Sequence, residues 1–214
     1  MARTVAPLLS FSAAGQIAKT QVYSRWKGRP YVRRYAIPSN PRTTEQTLTR
    51  DTFKWLNAIW RYYPEAARAA WALYAVSRQF TDRNAFIKQN LPDLREEADL
   101  TNIIISPSAL SGLAAAGMVL TAGANKITVA LTAPLLPTGW TITSAHAAAI
   151  PQQDPQTGTN YSVGYAFDAS APYSFDITGL TTAQEYVVGG WFEFMRDDGK
   201  TAYGPSIQDT ETPS

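Results

Sequence analysis

Charge divides this chain in two, and the division limits what a single fold can account for. Residues 1–99 hold 16 Lys/Arg against 8 Asp/Glu, a net of +8, whereas residues 100–214 hold 3 against 9, a net of −6. The whole-chain net of +2 conceals this asymmetry. The basic half is rich in Trp, Tyr and Arg and carries helical spacing. The acidic half is rich in Thr, Ala, Gly and Val and reads as strands. Two modules of about 100 residues are each large enough for a separate core. The expectation is an α+β chain in four parts: an extended arm over 1–14, a basic hairpin-plus-helices module over 15–95, a linker over 96–116 and an all-β sandwich over 117–214.

In the basic half, Ile17–Trp26 and Tyr31–Ile37 are β-rich runs flanking Lys27-Gly28-Arg29-Pro30, which is turn chemistry, so a hairpin is expected. Pro38, Asn40 and Pro41 break the second run. Thr43 followed by Gln46 fits a capping box that opens a helix. Phe53, Leu56, Trp60 and Tyr63 fall at helical spacing as its apolar face, leaving Trp55 partly off that face as the exposed aromatic. Pro64 suits the first turn of a second helix, with Ala67, Ala70, Trp71 and Tyr74 as its stripe. Thr81 or Asp82 would cap a short third helix through Phe86 and Ile87, and Pro92 would end it.

The strings Trp26-Lys27-Gly28, Tyr31-Val32-Arg33, Asn40-Pro41-Arg42-Thr43, Gln46, Arg50, Phe53 and Asn84-Ala85-Phe86-Ile87-Lys88 carry a likeness. Over residues 15–95 they resemble a family of small, uncharacterised proteins of tailed bacteriophages and prophages. That resemblance implies a phage setting and a virion component, without a defined chemistry.

In the acidic half, seven short runs are separated by turn signals: Met118–Ala122, Lys126–Thr132, Trp140–Ala147, Tyr161–Phe167, Tyr173–Ile177, Glu185–Met195 and Thr201–Ile207. That number of strands in about 100 residues is an immunoglobulin-like pattern. Gly179-Leu180 followed by Tyr186 is similar to a tyrosine corner, and Asp197-Asp198-Gly199 suits a hairpin turn. Together these resemble a fibronectin type III-like domain, with Trp140 as the expected core tryptophan. Between the halves, Ile103-Ile104-Ile105 reads as a small strand in a linker apolar enough to lie against something.

Catalysis has little support in the sequence. The chain lacks cysteine, which removes disulfides and thiolate metal sites. Its single histidine, His146, stands in an Ala-rich strand with no Ser or acid arrangement legible around it. No catalytic, metal-binding or cofactor-binding residue is expected, and no cofactor. The sharper feature is the basic, aromatic hairpin. Arg25, Trp26, Lys27, Arg29, Tyr31, Arg33, Arg34, Tyr35 and Arg42 are the candidate anchoring residues, because Trp, Tyr and Arg supply most interface hot spots. The same residues suit nucleic acid, whose phosphates attract cations and whose bases stack on aromatic rings.

The expected function is a non-enzymatic virion structural protein, specifically a capsid decoration or cement protein. It would dock on the major capsid protein or another virion protein and form a homo-oligomer or symmetric array. A tail or connector component, a nucleic-acid-binding packaging protein and a glycan-binding adhesin are the alternatives. The expected location is the virion, after synthesis in the bacterial cytoplasm, with no signal peptide or membrane span.

Overall fold

A computed structural model describes residues 3–4, 13–27, 29–37, 39–40, 42–76, 78–96 and 99–214. It divides the chain into two units, Met1–Arg42 and Thr43–Ser214.

The first unit is a four-stranded antiparallel sheet, in the order β1 (Arg3–Thr4), β2 (Ala13–Ile17), β3 (Gln21–Trp26) and β4 (Arg29–Arg34). The expected hairpin is β3–β4, with Trp26 paired to Arg29 across a two-residue loop. Lys27 has φ +47, the left-handed geometry that a tight hairpin demands at its first central residue. The run Ile17–Trp26 is not one strand, because Ala18 and Lys19 both take positive φ and turn the chain. Thr20 closes that turn with its N–H and hydroxyl, both donating to the Ile17 carbonyl. Within the stretch read as an arm, β1 and the start of β2 pair as strands instead.

The second unit has three layers. Its helical layer comprises α1 (Thr44–Ile59), a 3₁₀ turn (Trp60–Tyr62), α2 (Glu65–Val76) and α3 (Asp82–Glu96). The capping box does not form: Thr43 makes no side-chain cap bond, and the Thr47 hydroxyl bonds the Thr44 carbonyl instead. The buried face of α1 is Thr52, Trp55, Leu56 and Ile59. Trp55 is thus core, at 2% exposure, while Phe53 is 48% exposed. The face is rotated by one position from the expected one, since adjacent helix residues stand about 100° apart and Leu56 suits either choice. Thr81 caps α3, its hydroxyl accepting the Asn84 N–H. Pro92 lies inside α3 rather than ending it. A proline forfeits one helical bond, and burial of Leu94 beyond it offsets that loss.

The other two layers form the sandwich. One sheet joins β5 (Gly117–Gly123), β6 (Lys126–Thr132) and β9 (Ser174–Thr178). The other joins β7 (Thr141–Pro151), β8 (Gly164–Asp168), β10 (Tyr186–Met195), β11 (Thr201–Tyr203) and β12 (Ile207–Glu211) in the order β11-β10-β7-β8, with β12 also on β10. All seven expected runs are present, the last split into β11 and β12. The Tyr186 hydroxyl accepts the Thr181 N–H at 3.0 Å, closing the tyrosine corner. Gly199, at φ +73, turns β10 into β11. This strand order and corner define a fibronectin type III/immunoglobulin-like sandwich.

The β7–β10 sheet is buried on both faces. Ala145, Ala147, Ala149, Val188, Phe192 and Phe194 face the sandwich core, whereas Ala148, Ile150, Val187 and Trp191 join the core beneath the helices. Trp191 is therefore the fully buried tryptophan of the sheet, on its helical side. Trp140 is only half-buried, set edge-on to Phe194 with the Arg196 guanidinium 5.3 Å from its ring. Gly189 and Gly190 let both layers approach. A Cβ on Gly189 would meet Ile105 at 2.6 Å, and one on Gly190 would meet Leu131 at 2.6 Å.

Residues 99–111 are a strap between helices and sheet, not a linker, and Ile103–Ile105 is not a strand. Leu100, Ile103 and Ile105 are fully buried. Non-strand backbone can be buried only where its polar groups find partners. Here Asn90 clamps Ile104, accepting its N–H at 2.7 Å and donating to its carbonyl at 3.3 Å. The Tyr63 hydroxyl and Trp71 Nε1 both donate to the Ile105 carbonyl. From the sheet side, Ser206 Oγ accepts the N–H groups of Ile105 and Ser106, and Gln208 Nε2 donates to the Ile103 carbonyl. The helices therefore belong with the sandwich. The structural division falls after Arg42 rather than at the expected linker.

Candidate functional site

Redrawing the boundary also redraws the charge. Residues 1–42 contain eight Lys/Arg and no Asp/Glu; residues 43–99 contain eight of each; residues 100–214 contain three against nine. The entire basic surplus thus lies in the first unit.

All nine candidate anchoring residues lie in that first unit. Backbone pairing places Arg25, Trp26 and Arg29 in β3 and β4, and Lys27 in their turn, where it is exposed. Arg33 and Arg34 are exposed and, being adjacent in β4, stand on opposite faces of the sheet. Register sets Arg33 opposite Val22 and Arg34 opposite Gln21. Tyr31 is 41% exposed and Val32 52%. Tyr35 is half-buried beyond β4, its N–H donating to the Thr20 carbonyl at 2.8 Å. Arg42, exposed with φ +48, ends the unit. Among the described residues, neither Arg33 nor Arg34 has a carboxylate partner, and none of residues 15–24, 27, 31–37, 39–40 and 42 is buried.

A second cluster escaped the sequence reading. On the helical side of the β7–β10 sheet, register aligns Phe167, His146 and Trp191 in one row and Ser144, Glu193 and Tyr203 in the next. Ser144 Oγ lies 2.7 Å from His146 Nε2 and donates to Glu193 Oε2 at 3.2 Å. The Tyr165 hydroxyl lies 2.8 Å from His146 Nδ1. The imidazole stacks between Trp191 and Phe167, at 5.4 and 5.9 Å. An imidazole protonated at Nε2 matches every proton to an acceptor: His146 to Ser144 and, at 3.3 Å, to Glu193, Ser144 to Glu193, and Tyr165 to His146. Bonds from His146 foremost, and from Ser144 and Tyr203, hold the Glu193 carboxyl below the usual range against a desolvation that opposes them. Burial first, then the Glu193 charge, pushes Tyr165 and Tyr203 up to about 12.

This group is not a hydrolytic triad. A triad needs the serine on one imidazole nitrogen and the acid on the other. Here Ser144 and Glu193 share Nε2, with Glu193 Oε2 at 3.3 Å, and a tyrosine occupies Nδ1. Ser144 is also buried, at 6% exposure. The arrangement fixes five side chains rather than presenting one for attack. Its only sequence trace is Ser144 and His146 spaced by two in β7, and the partners are separated by up to 49 residues.

An open groove of about 400 Å³ runs between α2, α3 and the strap, lined by Trp71, Tyr74, Gln89, Ile104, Pro107 and Gln208 among others. Its polar groups are already engaged, Gln89 with Tyr74 and Gln208 with Ile103 and Ser206. The 152–158 loop is held by its own side chains: Asp154 accepts the Gln156 N–H and the Thr157 hydroxyl proton, and Gln153 bonds Asn160. Among the described residues, no group of His, Asp and Glu is placed to hold a metal.

No protein-family model matches the chain, and no curated protein matches it. Similar solved structures include a computationally redesigned β-sandwich protein, at 16% identity and TM-score 0.34 over 47% of this chain and 94% of that one. A myokine matches at 13% and 0.34, over 49% and 100%. A fibronectin type III domain of human collagen XX matches at 16% and 0.35, over 50% and 97%.

Proposed function

We propose that this chain is a non-enzymatic structural component of a tailed-bacteriophage particle, specifically a capsid decoration protein anchored by its N-terminal sheet. The observation that carries this reading is the composition of that first unit, with eight cations and no acid, together with the absence of a buried residue among positions 15–24, 27, 31–37, 39–40 and 42. A surface of that kind is unfinished until something anionic and partly apolar covers it. The phage setting comes from the motif strings of residues 26–88. Arginines would set register on an acidic shell, aromatic side chains would supply most of the contact energy, and many symmetry-related copies would add avidity. The helix-buttressed sandwich would be the part displayed. No helix among the described residues is long and apolar enough to cross a membrane.

The test is the copy number of this chain in purified particles, by quantitative mass spectrometry against the major capsid protein. On the order of hundreds of copies is the expected result. About six to a few dozen would move the chain to the connector or tail, as cyclic assemblies require. Absence from particles would contradict the reading.

A further inference from the structure

We propose that β8 is a dimerisation edge, pairing antiparallel with β8 of a second copy of this chain across a two-fold axis at Ala166. The contact lies within the Thr43–Ser214 unit and does not depend on the virion reading. β8 (Gly164–Asp168) ends its sheet, next to β7. Backbone pairing alone decides which of its polar groups are free. In an antiparallel pair, opposed residues alternate between those that exchange backbone bonds and those that do not. The Gln152 N–H donates to the Glu185 carbonyl at 2.8 Å, one position beyond the Pro151–Tyr186 pair. Even-numbered residues of β7, His146 and Ala148 among them, therefore bond toward β10. Odd-numbered Ala145, Ala147 and Ala149 bond toward β8, where they face Asp168, Ala166 and Gly164. Tyr165 and Phe167 are left with N–H and carbonyl pointing off the sheet. Among the described residues, nothing pairs with those groups.

The side chains of the same two residues point to what covers that edge. The rings of Trp191, His146 and Phe167 stack in one row across β10, β7 and β8, at 5.4 and 5.9 Å. Phe167 ends the row and is 59% exposed, with Tyr165 stacked beside it at 6.2 Å. Sheet edges are commonly blunted by charge, by proline or by a covering segment. In this sheet β12 carries Asp209 and Glu211, and the strap covers β11 by pairing Ala109 with Tyr203. β8 has neither guard. Its only charge is Asp168, whose carboxylate accepts the Ser170 N–H and hydroxyl proton in the following turn. The edge is also self-complementary. A two-fold axis at Ala166 sets Tyr165 opposite the partner's Phe167, and Phe167 opposite the partner's Tyr165, both pairs of the kind that exchanges backbone bonds. The aromatic row then continues from each copy into the other, and cross-strand aromatic pairs stabilise a sheet. Asp168 falls opposite the partner's Gly164, so no like charges meet. Such a contact is isologous and closes at two copies.

The test is Ala166→Cys in the full chain, which otherwise has no cysteine. The axis puts position 166 of both copies in a pair that exchanges no backbone bonds, with Cα atoms about 4.5 Å apart and within disulfide reach. Under a mild oxidant this variant should form a covalent dimer. Asp168→Cys, on the same strand, should not, because its two thiols would stand on the order of 13 Å apart along the strands. Sedimentation of the wild-type chain across a concentration series, at about 0.5 M salt to screen charge-driven contacts, should show a monomer–dimer equilibrium. Phe167→Lys puts a charge on the edge and should weaken that equilibrium at least about tenfold, with the wild-type circular dichroism spectrum retained. Should that variant lose the spectrum, the cross-linking pair decides alone. A wild-type chain monomeric at every concentration, an Ala166→Cys chain that does not cross-link, equal cross-linking at 166 and 168, or dimerisation unmoved by a folded Phe167→Lys would each overturn the proposal. Particle copy number tests the virion reading separately: a chain absent from particles that still dimerises through β8 would overturn only that reading.

Discussion

The strap over residues 99–111 and the N-terminal sheet over 1–42 show opposite ways of handling backbone and apolar side chains. The strap has no regular structure, yet Leu100, Ile103, Ile105 and Ser106 in it are buried, because Asn90, Tyr63, Trp71, Ser206 and Gln208 satisfy its carbonyls and N–H groups. The sheet is regular, yet Ile17, Tyr31 and Val32 in it are exposed. Regularity is therefore not what marks the folded core of this chain. Completed polar pairing marks it in one region, and exposed apolar side chains distinguish the other, the proposed anchor.

Breaking the strap side of this comparison should be expensive. Trp191→Ala empties a fully buried site shared by the helices and the sheet. It should cost about 3–5 kcal/mol by chemical denaturation, with helix and sheet signals lost in one transition. Asn90→Ala strands the Ile104 N–H and carbonyl and should cost about 2–3 kcal/mol. Two separate transitions in either variant would show that the helices fold apart from the sandwich. Tyr186→Phe removes a single corner bond and should cost about 1 kcal/mol. Tyr31→Ala, at an exposed position of the sheet, should change stability by less than about 0.5 kcal/mol while weakening binding to particles.

Glu193 gives the comparison a pH axis. Its folded pKa is depressed, so its stabilising contribution is complete above the unfolded value near 4.5 and is lost as pH falls through the lower folded value. Glu193→Gln should flatten the pH dependence of unfolding below about 4.5. The two tyrosines act at the other end. Their folded values of about 12 exceed the ordinary 10.0, so their contribution is whole below 10.0 and declines from there toward 12. A titration of unfolding free energy from acid to alkaline pH reads both.

The parts of this fold legible in the sequence are the local ones. Period-two runs and turn residues located the strands of the sandwich, and Gly179-Leu180 with Tyr186 located its corner, because each signal lies within a few residues. The β3–β4 hairpin was legible for the same reason. What escaped was set by partners distant in sequence. Trp55 and Phe53 are chemically equivalent choices for a helix face until the sheet selects one. Trp191 looks like any strand tryptophan until a helical layer covers the outer face of β10. His146 reads as isolated until the register of β7 on β10 brings Glu193 to it. The charge step near residue 100 was real, but it marked a change of surface within one folded unit, and the basic surplus belonged to the first 42 residues alone.

The most direct test is hydrogen exchange of the full chain, resolved by peptide, free in solution and with purified particles. The account predicts that amides of 100–109 exchange as slowly as those of β7 and β10 in both. It also predicts that amides of β2–β4 exchange fast in the free chain and slow markedly on the particle. A strap that exchanges fast while β10 stays protected, or an N-terminal sheet already as protected as the sandwich in the free chain, would contradict it.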